Sequence, residues 1–447
     1  MKSLLLLVGL LVFSNLSHAN LHLAPPNISI GRTKAIFIDI KTIKSTIVYD
    51  LGKNKAVAKS EIEFSQGLSG YPIFDLLPTP IKVTINGEVT QTQTTSMDGV
   101  STVRYVKKSL SSGLHKMTIE NEISKNISWN SNYLKNAFWM SDLSDRRYIE
   151  QYLPTNLEFD QYKKTLSIKI IGTDREHNLV TNGDVKSLGL NEWLVDYPEV
   201  YTASSFFYHL TLKGQIPTVY STYRSIDNRE IPITVYTSQG TSKFMNKTKE
   251  VLAELERDYG PWPHSQVIVY GAGMGGMEHC GATITSFSAL GHELIHSYFA
   301  RGVMPAHGNA GWVDEAVASW RDSNYPSYTE RRLSPTRMAG HSVYERTTDR
   351  NAYTKGMRFI GHLNKKFENK ESFKLFLRSF FEERKFKPFK TPEFQAAIEK
   401  FYGEDVGNLF DKYVYGSKGN VDDSEHGHDH QNPYHPRLSE QQLNELL

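Results

Sequence analysis

The chain has 447 residues, of which 39% are hydrophobic, 12% aromatic and 22% charged. This is the composition of a globular protein, and it excludes collagen-like, coiled-coil and wholly disordered chains. At roughly 100–200 residues per domain, the length predicts two or three domains. The 51 Lys and Arg residues nearly balance the 49 Asp and Glu residues, so no overall charge attracts nucleic acid or anionic lipid. We therefore expect no nucleic-acid partner.

The N-terminus has the pattern of a secretory signal peptide over residues 1–19. Lys2 gives a positively charged start, residues 4–13 are apolar, and Ser17-His18-Ala19 has small residues at the two positions that signal peptidase reads. The apolar run is about half of the ~20 residues that span a bilayer, which disfavours the alternative of an N-terminal membrane anchor. We predict cleavage after Ala19, no stable membrane insertion afterwards, and export to the periplasm or the extracellular space.

The next part of the chain has the pattern of β-strands. Apolar and polar residues alternate with a period of two, most clearly at residues 81–85, 115–119 and 166–170. The Asn86-Gly87 pair follows the first of these runs and predicts a two-residue hairpin turn. We predict an N-terminal antiparallel β domain over residues 20–215, either a sandwich or a curved sheet, which carries no cluster of catalytic residue types.

Beyond residue 219 the periodicity becomes helical. One predicted helix face collects the apolar residues Phe244, Val251, Leu252, Leu255 and Tyr259. Gly260-Pro261 ends this helix, and a short apolar strand follows at residues 267–270. Several predicted helices then continue to about residue 415. We predict an α+β domain over residues 216–415.

A His-Glu-x-x-His motif lies at residues 292–296, within an apolar stretch from residue 287 to residue 300 that predicts a helix. Residues four apart in a helix project from one face, so His292 and His296 can bind one zinc ion while Glu293 lies beside them. A catalytic zinc site needs a third protein ligand and a coordination position left open to water.

Glu315 is the candidate for that third ligand. It lies eighteen residues beyond His296, in a second predicted helix, and the intervening Gly302 and the glycines within residues 308–311 are expected to let the chain turn back. Two histidines and one glutamate leave the open position that distinguishes a catalytic zinc site from a structural one. A zinc ion acidifies its bound water, and Glu293 can accept the water's proton and pass it to a leaving amine. This chemistry indicates peptide hydrolysis.

The motif and its spacing to Glu315 resemble the gluzincin pattern of the aminopeptidase N and leukotriene hydrolase family of zinc metallopeptidases. The resemblance implies a thermolysin-like α+β catalytic domain after the N-terminal β domain. It also implies that Gly275-Gly276-Met277-Glu278 is an edge strand that pairs with the substrate backbone, and that Glu278 binds the free α-amino group. By the same resemblance, the Tyr353 hydroxyl in Tyr353-Thr354-Lys355-Gly356 stabilises the tetrahedral intermediate.

The chain departs from the family pattern in several places. His279 stands where the family usually has asparagine, and only residues 280–291 separate the predicted substrate strand from the zinc-binding motif. No counterpart is evident, upstream of residue 146, of the glutamine that helps hold the substrate amine, and the large helical C-terminal domain of typical members is expected to be missing. A more open cleft would admit longer peptides.

The sequence therefore predicts an exported peptidase with one catalytic zinc ion, acting on peptides and removing residues from a free amino terminus. One alternative is an endopeptidase that uses the same zinc in an open groove, and another is an inactive zinc-bearing binding module. The tail over residues 416–447 carries His426, His428, His430 and His435 and is predicted to be disordered. Loose metal binding by this tail is a further prediction, and a metal-scavenging protein is the third alternative.

Overall fold

The structure, a computed structural model, describes residues 23–416 except residues 98, 100, 140–150, 204, 274 and 346. The predicted signal peptide and the histidine-rich tail beyond Gly416 lie outside the described residues. Sheets occupy the N-terminal part of the chain and helices dominate the C-terminal part, which confirms the predicted α+β class. Every helix within the described ranges is too short or too polar to span a bilayer.

The strands before residue 215 form three sheets. In chain order these strands are β1 (Ile28–Ile30), β2 (Thr33–Phe37), β3 (Asp39–Asp50), β4 (Lys55–Gln66), β5 (Tyr71–Phe74), β6 (Lys82–Ile85), β7 (Glu88–Thr90), β8 (Thr92–Met97), β9 (Ser101–Val106), β10 (Gly113–Ile123), β11 (Ile127–Trp129), β12 (Leu134–Trp139), β13 (Lys163–Ile171), β14 (His177–Thr181), β15 (Asp184–Gly189), β16 (Glu192–Tyr197) and β17 (Phe207–Leu212). The sheet orders are β1-β2-β5-β9-β8, β15-β16-β13-β3-β4-β10-β6-β7 and β11-β12-β17-β14.

Pairing in these sheets is mostly antiparallel, as predicted, but β2 pairs in parallel with β5, and β3 pairs in parallel with β13. The hairpin at Asn86-Gly87 is confirmed, because Ile85 pairs with Glu88 across a two-residue turn. Both turn residues have positive φ, 51° for Asn86 and 88° for Gly87, as the turn requires. Alternate residues of β4 are buried, so one face of the eight-stranded sheet packs on apolar core.

The part after residue 215 combines one further sheet with helices. Its strands are β18 (Thr218–Arg224), β19 (Glu230–Thr237), β20 (Val267–Gly271), β21 (Gly276–His279), β22 (Ala282–Thr285), β23 (Met304–Pro305) and β24 (Pro388–Phe389). Its helices are α1 (Thr241–Tyr259), α2 (Leu290–Phe299), α3 (Gly308–Asp322), α4 (Met357–Lys366), α5 (Phe373–Arg384), α6 (Thr391–Tyr402) and α7 (Gly407–Tyr413). A π-helical turn at Ala352–Gly356 leads into α4.

The sheet of this part has the order β18-β19-β20-β22-β21, so β21 lies at its edge. Strand β20 is central and all five of its residues are buried. The predicted apolar face of α1 is buried in the same core, and α1 ends at Gly260, whose φ of 99° is outside the helical range. The zinc-motif helix and the Glu315 helix also contribute to this core.

The two site helices begin at other residues than the sequence pattern suggested. Helix α2 begins at Leu290 rather than near residue 287, because the Ser286 hydroxyl accepts a hydrogen bond from the backbone N–H of Ala289 and forms a turn before the helix. The glycines within residues 308–311 belong to the first turn of α3 rather than to the connection before it. A Cβ at Gly308 would overlap the carbonyl oxygen of Thr347, so this glycine permits close packing.

The N-terminal sheets hold the turn between β21 and β22 in place. The Asn182 side-chain amide donates hydrogen bonds to the backbone carbonyls of Ser205 and Cys280, at 2.8 and 2.9 Å. The Cys280 side chain is buried in the core that the N-terminal strands form. The edge strand β21 is therefore anchored, at its end, to the N-terminal half of the molecule.

Candidate active site

Helix α2 presents three ionisable side chains to the interior. His292, Glu293 and His296 are buried, with exposed fractions of 3%, 5% and 3%. The two imidazole rings lie on one helix face, with ring centroids 4.8 Å apart. Burying three such groups is costly unless they find partners, so their concentration on one short helix indicates a functional site.

Helix α3 brings the Glu315 carboxylate to both imidazoles. One carboxylate oxygen, Oε2, lies 3.3 Å from His292 Nε2 and 3.7 Å from His296 Nε2. The donor atoms of these three buried residues all lie within 4.8 Å of one another. Two imidazole nitrogens and one carboxylate oxygen converging on one point are a donor set that suits zinc. This His-His-Glu group could therefore hold a metal ion.

Asp322 lies behind His292, and the sequence interpretation did not include it. Its Oδ2 lies 2.7 Å from His292 Nδ1, so the ring is held with Nε2 directed towards Glu315. Burial disfavours the charged form of His292, but the hydrogen bonds to Asp322 and Glu315 raise its pKa well above the ordinary value. A signal was present in the sequence, because Asp322 lies seven residues after Glu315 and therefore on the same face of α3.

Glu293 is the remaining member of the motif, and its carboxylate makes no hydrogen bond to any of the described residues. Its carboxylate forms a compact group with Glu278 and His296, whose ligand atoms all lie within 4.8 Å of one another. Burial raises the pKa of Glu293 well above the ordinary value, and the nearby negative charge of Glu278 adds to the effect. A Cβ at Gly276 would overlap the Glu293 carboxylate where it now lies, so this glycine leaves room for the carboxylate beside β21.

The four residues of the predicted substrate strand lie next to this group. Gly275 has a φ of 54° and directly precedes β21. Met277 is buried in a small apolar core, so its side chain packs away from solvent. In β21, Gly276 pairs with Thr285 and Glu278 with Thr283 on one side, while the other side is an edge of the described sheet. An edge strand offers backbone groups to a further extended chain.

Tyr353 lies within the π-helical turn, directly across from the motif helix. Its hydroxyl donates a hydrogen bond to Glu315 Oε1, and its ring stacks on the His292 ring with a centroid distance of 6.3 Å. A Cβ at Gly356 would lie 2.8 Å from the Cβ of Ala316, so glycine lets this turn pack against α3. Single π-helical turns are often found at functional sites.

A second residue missing from the sequence interpretation is Arg301. It lies two residues beyond the end of α2, and its Nη2 lies 3.0 Å from Glu278 Oε1. The same nitrogen donates to the backbone carbonyl of Glu278 at 3.2 Å. Both side chains are largely buried. The sequence contains no local signal for this contact, because the two residues are 23 positions apart and meet only through tertiary packing.

Comparison with known proteins gives matches at the level of structure. No protein-family model matches the sequence, and no curated protein sequence matches it. Aminopeptidase A of Legionella pneumophila, in complex with aspartic acid, aligns with a TM-score of 0.66 at 13% identity over 88% of this chain. The chain spans 51% of that protein, about half its length.

Two further structures align comparably well. Yeast LTA4 hydrolase has a TM-score of 0.64 at 13% identity, over 86% of this chain and 69% of the hydrolase. A mutant M1 zinc metallopeptidase from Deinococcus radiodurans, bound to a Tyr-Ser-Ala substrate, has a TM-score of 0.64 at 15% identity, over 86% of this chain and 95% of its own. These matches confirm the predicted resemblance at the level of the fold. The chain therefore has the fold of the M1 zinc metallopeptidases.

Proposed function

We propose that this chain is an exported zinc metallopeptidase that hydrolyses peptides and removes residues from a free amino terminus. The observation that carries the proposal is the convergence of His292, His296 and Glu315 on one point, with the Glu293 carboxylate close behind. These three residues would hold the zinc ion. When bound, zinc would acidify a water molecule and polarise the scissile carbonyl.

Glu293 has the environment of a general base and acid. Its position on α2 places it beside the two imidazoles, and its raised pKa makes the carboxylate a stronger proton acceptor than an ordinary glutamate. In the proposed reaction its carboxylate takes a proton from the attacking water and donates it to the leaving amine. The absence of hydrogen bonds from Glu293 to the described residues leaves the carboxylate available for this exchange.

Tyr353 is proposed to donate a hydrogen bond from its hydroxyl to the negative charge that develops on the carbonyl oxygen. Its contact with Glu315 supports this role, because the hydroxyl already lies beside one of the three proposed zinc ligands. During the reaction the hydroxyl would release the Glu315 carboxylate and donate its hydrogen bond to the developing oxyanion instead. A preorganised donor of this kind acts by stabilising the transition state more than the bound substrate.

Substrate binding is proposed along the edge strand β21. The backbone at Gly275, Gly276 and Met277 would pair with an extended peptide, and the Glu278 carboxylate would bind the α-ammonium group. The buried Glu278 carboxylate lies within the group that also contains Glu293. An amine anchored there would place the first peptide bond near the proposed base. This arrangement supports an exopeptidase over an endopeptidase.

The experiment that tests this function uses one peptide with a free amino terminus and its N-acetylated form, each with and without a metal chelator. We expect hydrolysis that the chelator abolishes and that added zinc restores, with clear preference for the free amino terminus. Equal rates for the two peptides would favour the endopeptidase alternative. Zinc-loaded protein without turnover over a broad peptide library would favour an inactive binding module.

The domain organisation and the tail are part of the same proposal. We infer a β domain over residues 20–215, a catalytic domain over residues 216–415 and a tail that binds metal loosely. Replacing His426, His428 and His430 with alanine separates peptidase from metal-scavenging function. We expect peptidase activity to be unchanged in this variant, whereas a scavenging protein would lose its function. Secretion of the chain with cleavage after Ala19 would support the proposed export.

A further inference from the structure

The ion pair between Glu278 and Arg301 joins the edge strand to the zinc-motif helix. The two side chains are only 12% and 10% exposed. One guanidinium nitrogen of Arg301 contacts both the carboxylate Oε1 and the backbone carbonyl of Glu278, at 3.0 and 3.2 Å. A single side chain therefore fixes both the main chain and the side chain of residue 278. Because the backbone N–H of Arg301 donates a hydrogen bond to the His296 carbonyl, this contact is tied to the last turn of α2.

The pair leaves one carboxylate oxygen of Glu278 available. Oε1 accepts a hydrogen bond from Arg301, whereas Oε2 accepts none from any other described residue. A carboxylate has about four lone-pair sites, so a second cationic donor can bind beside the first. An isolated carboxylate at this depth would carry a large desolvation cost, and the guanidinium compensates for it. Arg301 thus both orients and stabilises an anion that can still accept an ammonium group.

A small cavity adjoins this pair. It is lined in part by Glu278, Arg301, Asp314, Glu158 and Thr202, and its volume is about 10 Å³. That is about the space of one water molecule. Three of these residues are acidic, so the Arg301 guanidinium lies among several carboxylates, of which Glu278 is the one it contacts directly.

We propose that Arg301 is a positioning residue that sets the preference of this site for peptides with a free α-ammonium group. The proposal rests on the proposed peptidase function and adds a residue to its specificity. Arg301 holds Glu278 at a fixed place relative to α2, so the terminal amine and the scissile bond keep a fixed separation. The opposite reading is that Arg301 competes with the substrate amine for Glu278.

The test measures kcat/KM for one peptide with a free terminus and for its N-acetylated form. The full-length zinc-loaded protein is compared with Arg301→Gln, Arg301→Lys, Glu278→Gln and the double variant Glu278→Gln with Arg301→Gln. We expect Arg301→Gln to lower the free-to-acetylated ratio about tenfold, mainly through KM, because a charge-assisted contact to the amine is no longer held in place. The free-to-acetylated ratio of the double variant should be no lower than that of Glu278→Gln, since both residues act through one contact.

Arg301→Lys keeps the charge but cannot hold two acceptors with the geometry of a guanidinium, so we expect an intermediate ratio. This variant also keeps the test decisive if Arg301→Gln fails to fold. Arg384→Gln is the matched control, because it breaks a similar ion pair, at 3.1 Å to Glu393, outside the site. The control should leave the ratio unchanged.

The outcomes separate the two proposals. Wild-type protein without hydrolysis contradicts the proposed function. Wild-type protein that prefers the free terminus, together with an unchanged or increased ratio in both Arg301 variants, contradicts the role of Arg301 alone. Wild-type protein without any preference contradicts both the exopeptidase proposal and this one.

Discussion

Two buried glutamates in the C-terminal half of the molecule have opposite surroundings. Glu256, in α1, is 0% exposed and Glu293, in α2, is 5% exposed. The Glu256 carboxylate accepts four hydrogen bonds, from Tyr223, Ser225, Ile226 and Trp262. Glu293 accepts none from the described residues, and its nearest charged groups include another carboxylate.

The difference is the one expected between a carboxylate that stabilises the fold and a carboxylate with the proposed catalytic role. Four donors compensate for the burial of Glu256, so this residue stabilises the connection between α1 and the strands beside it. Glu293 has no such compensation, which makes it a cost to folding unless a ligand or a reaction uses it. The C-terminal half thus contains one buried carboxylate with four hydrogen-bond donors and one with none among the described residues.

Replacing each glutamate with glutamine tests most directly whether the two carboxylates have different roles. We expect Glu293→Gln to lower kcat by about 10²–10⁴-fold because the proton acceptor is lost. The free energy of unfolding should be unchanged or higher, since the substitution removes an uncompensated buried acid. Peptide hydrolysis and denaturant unfolding, measured on the same preparation, check both parts.

Glu256→Gln is the matched control, with the opposite expectation. An amide group cannot accept all four hydrogen bonds, so unfolding should become easier by about 2 kcal/mol. The kcat of the protein that remains folded should stay at the wild-type value. A Glu293→Gln variant with wild-type turnover, or a Glu256→Gln variant with lost turnover and unchanged stability, would contradict the comparison.

Tyr353→Phe removes the proposed oxyanion donor while keeping the ring that stacks on His292. We expect kcat to fall about 10²–10³-fold with little change in KM, because the lost interaction forms only in the transition state. Tyr402→Phe, in which the lost hydroxyl donates to the Glu371 carbonyl in another part of the fold, is the control. Equal kinetics for both variants would remove Tyr353 from the mechanism.

Asp322→Ala removes the acceptor that orients His292. Losing such a partner typically weakens metal binding about 10–100-fold, and we expect zinc affinity to fall by that factor. A titration of zinc against a competing chelator measures the change. Asp411→Ala, on the exposed surface of α7, should leave the affinity unchanged. Unchanged affinity in Asp322→Ala would show that His292 does not need this partner.

The smallest expected effect comes from Gly356. Gly356→Ala places a methyl group 2.8 Å from the Cβ of Ala316, so the π-helical turn must move away from α3. We expect kcat to fall several-fold as Tyr353 shifts, with zinc affinity unchanged. Combining it with Ala316→Gly should restore part of the lost activity, because that change removes the opposing methyl group. If kcat does not recover in the double variant, the overlap with Ala316 is not the cause of the lost activity.

The features predicted correctly from the sequence are those that depend on local spacing. The Asn86-Gly87 hairpin follows from the backbone that its turn requires, and the apolar face of α1 follows from helical periodicity. The two helices that bring His292, His296 and Glu315 together were also predicted, although α3 begins earlier than its glycines suggested.

The features that were missed depend on contacts between distant parts of the chain. The parallel pairing of β3 with β13 joins strands more than a hundred residues apart. The contact between Arg301 and Glu278 is likewise set by how α2 packs against β21. The π-helical turn around Tyr353 accompanies the close packing of Gly356 against Ala316, which no local pattern encodes.

The measurement that tests the central claim most directly is the recovery of peptidase activity when zinc is returned to metal-free protein. Activity would be followed on a peptide with a free amino terminus as zinc is added in known amounts. Our account predicts no activity without metal and a rise that saturates at one equivalent per chain, because one site formed by His292, His296 and Glu315 supplies the catalytic ion. Full activity in the metal-free protein, or a wild-type response in a His296→Ala variant, would contradict it.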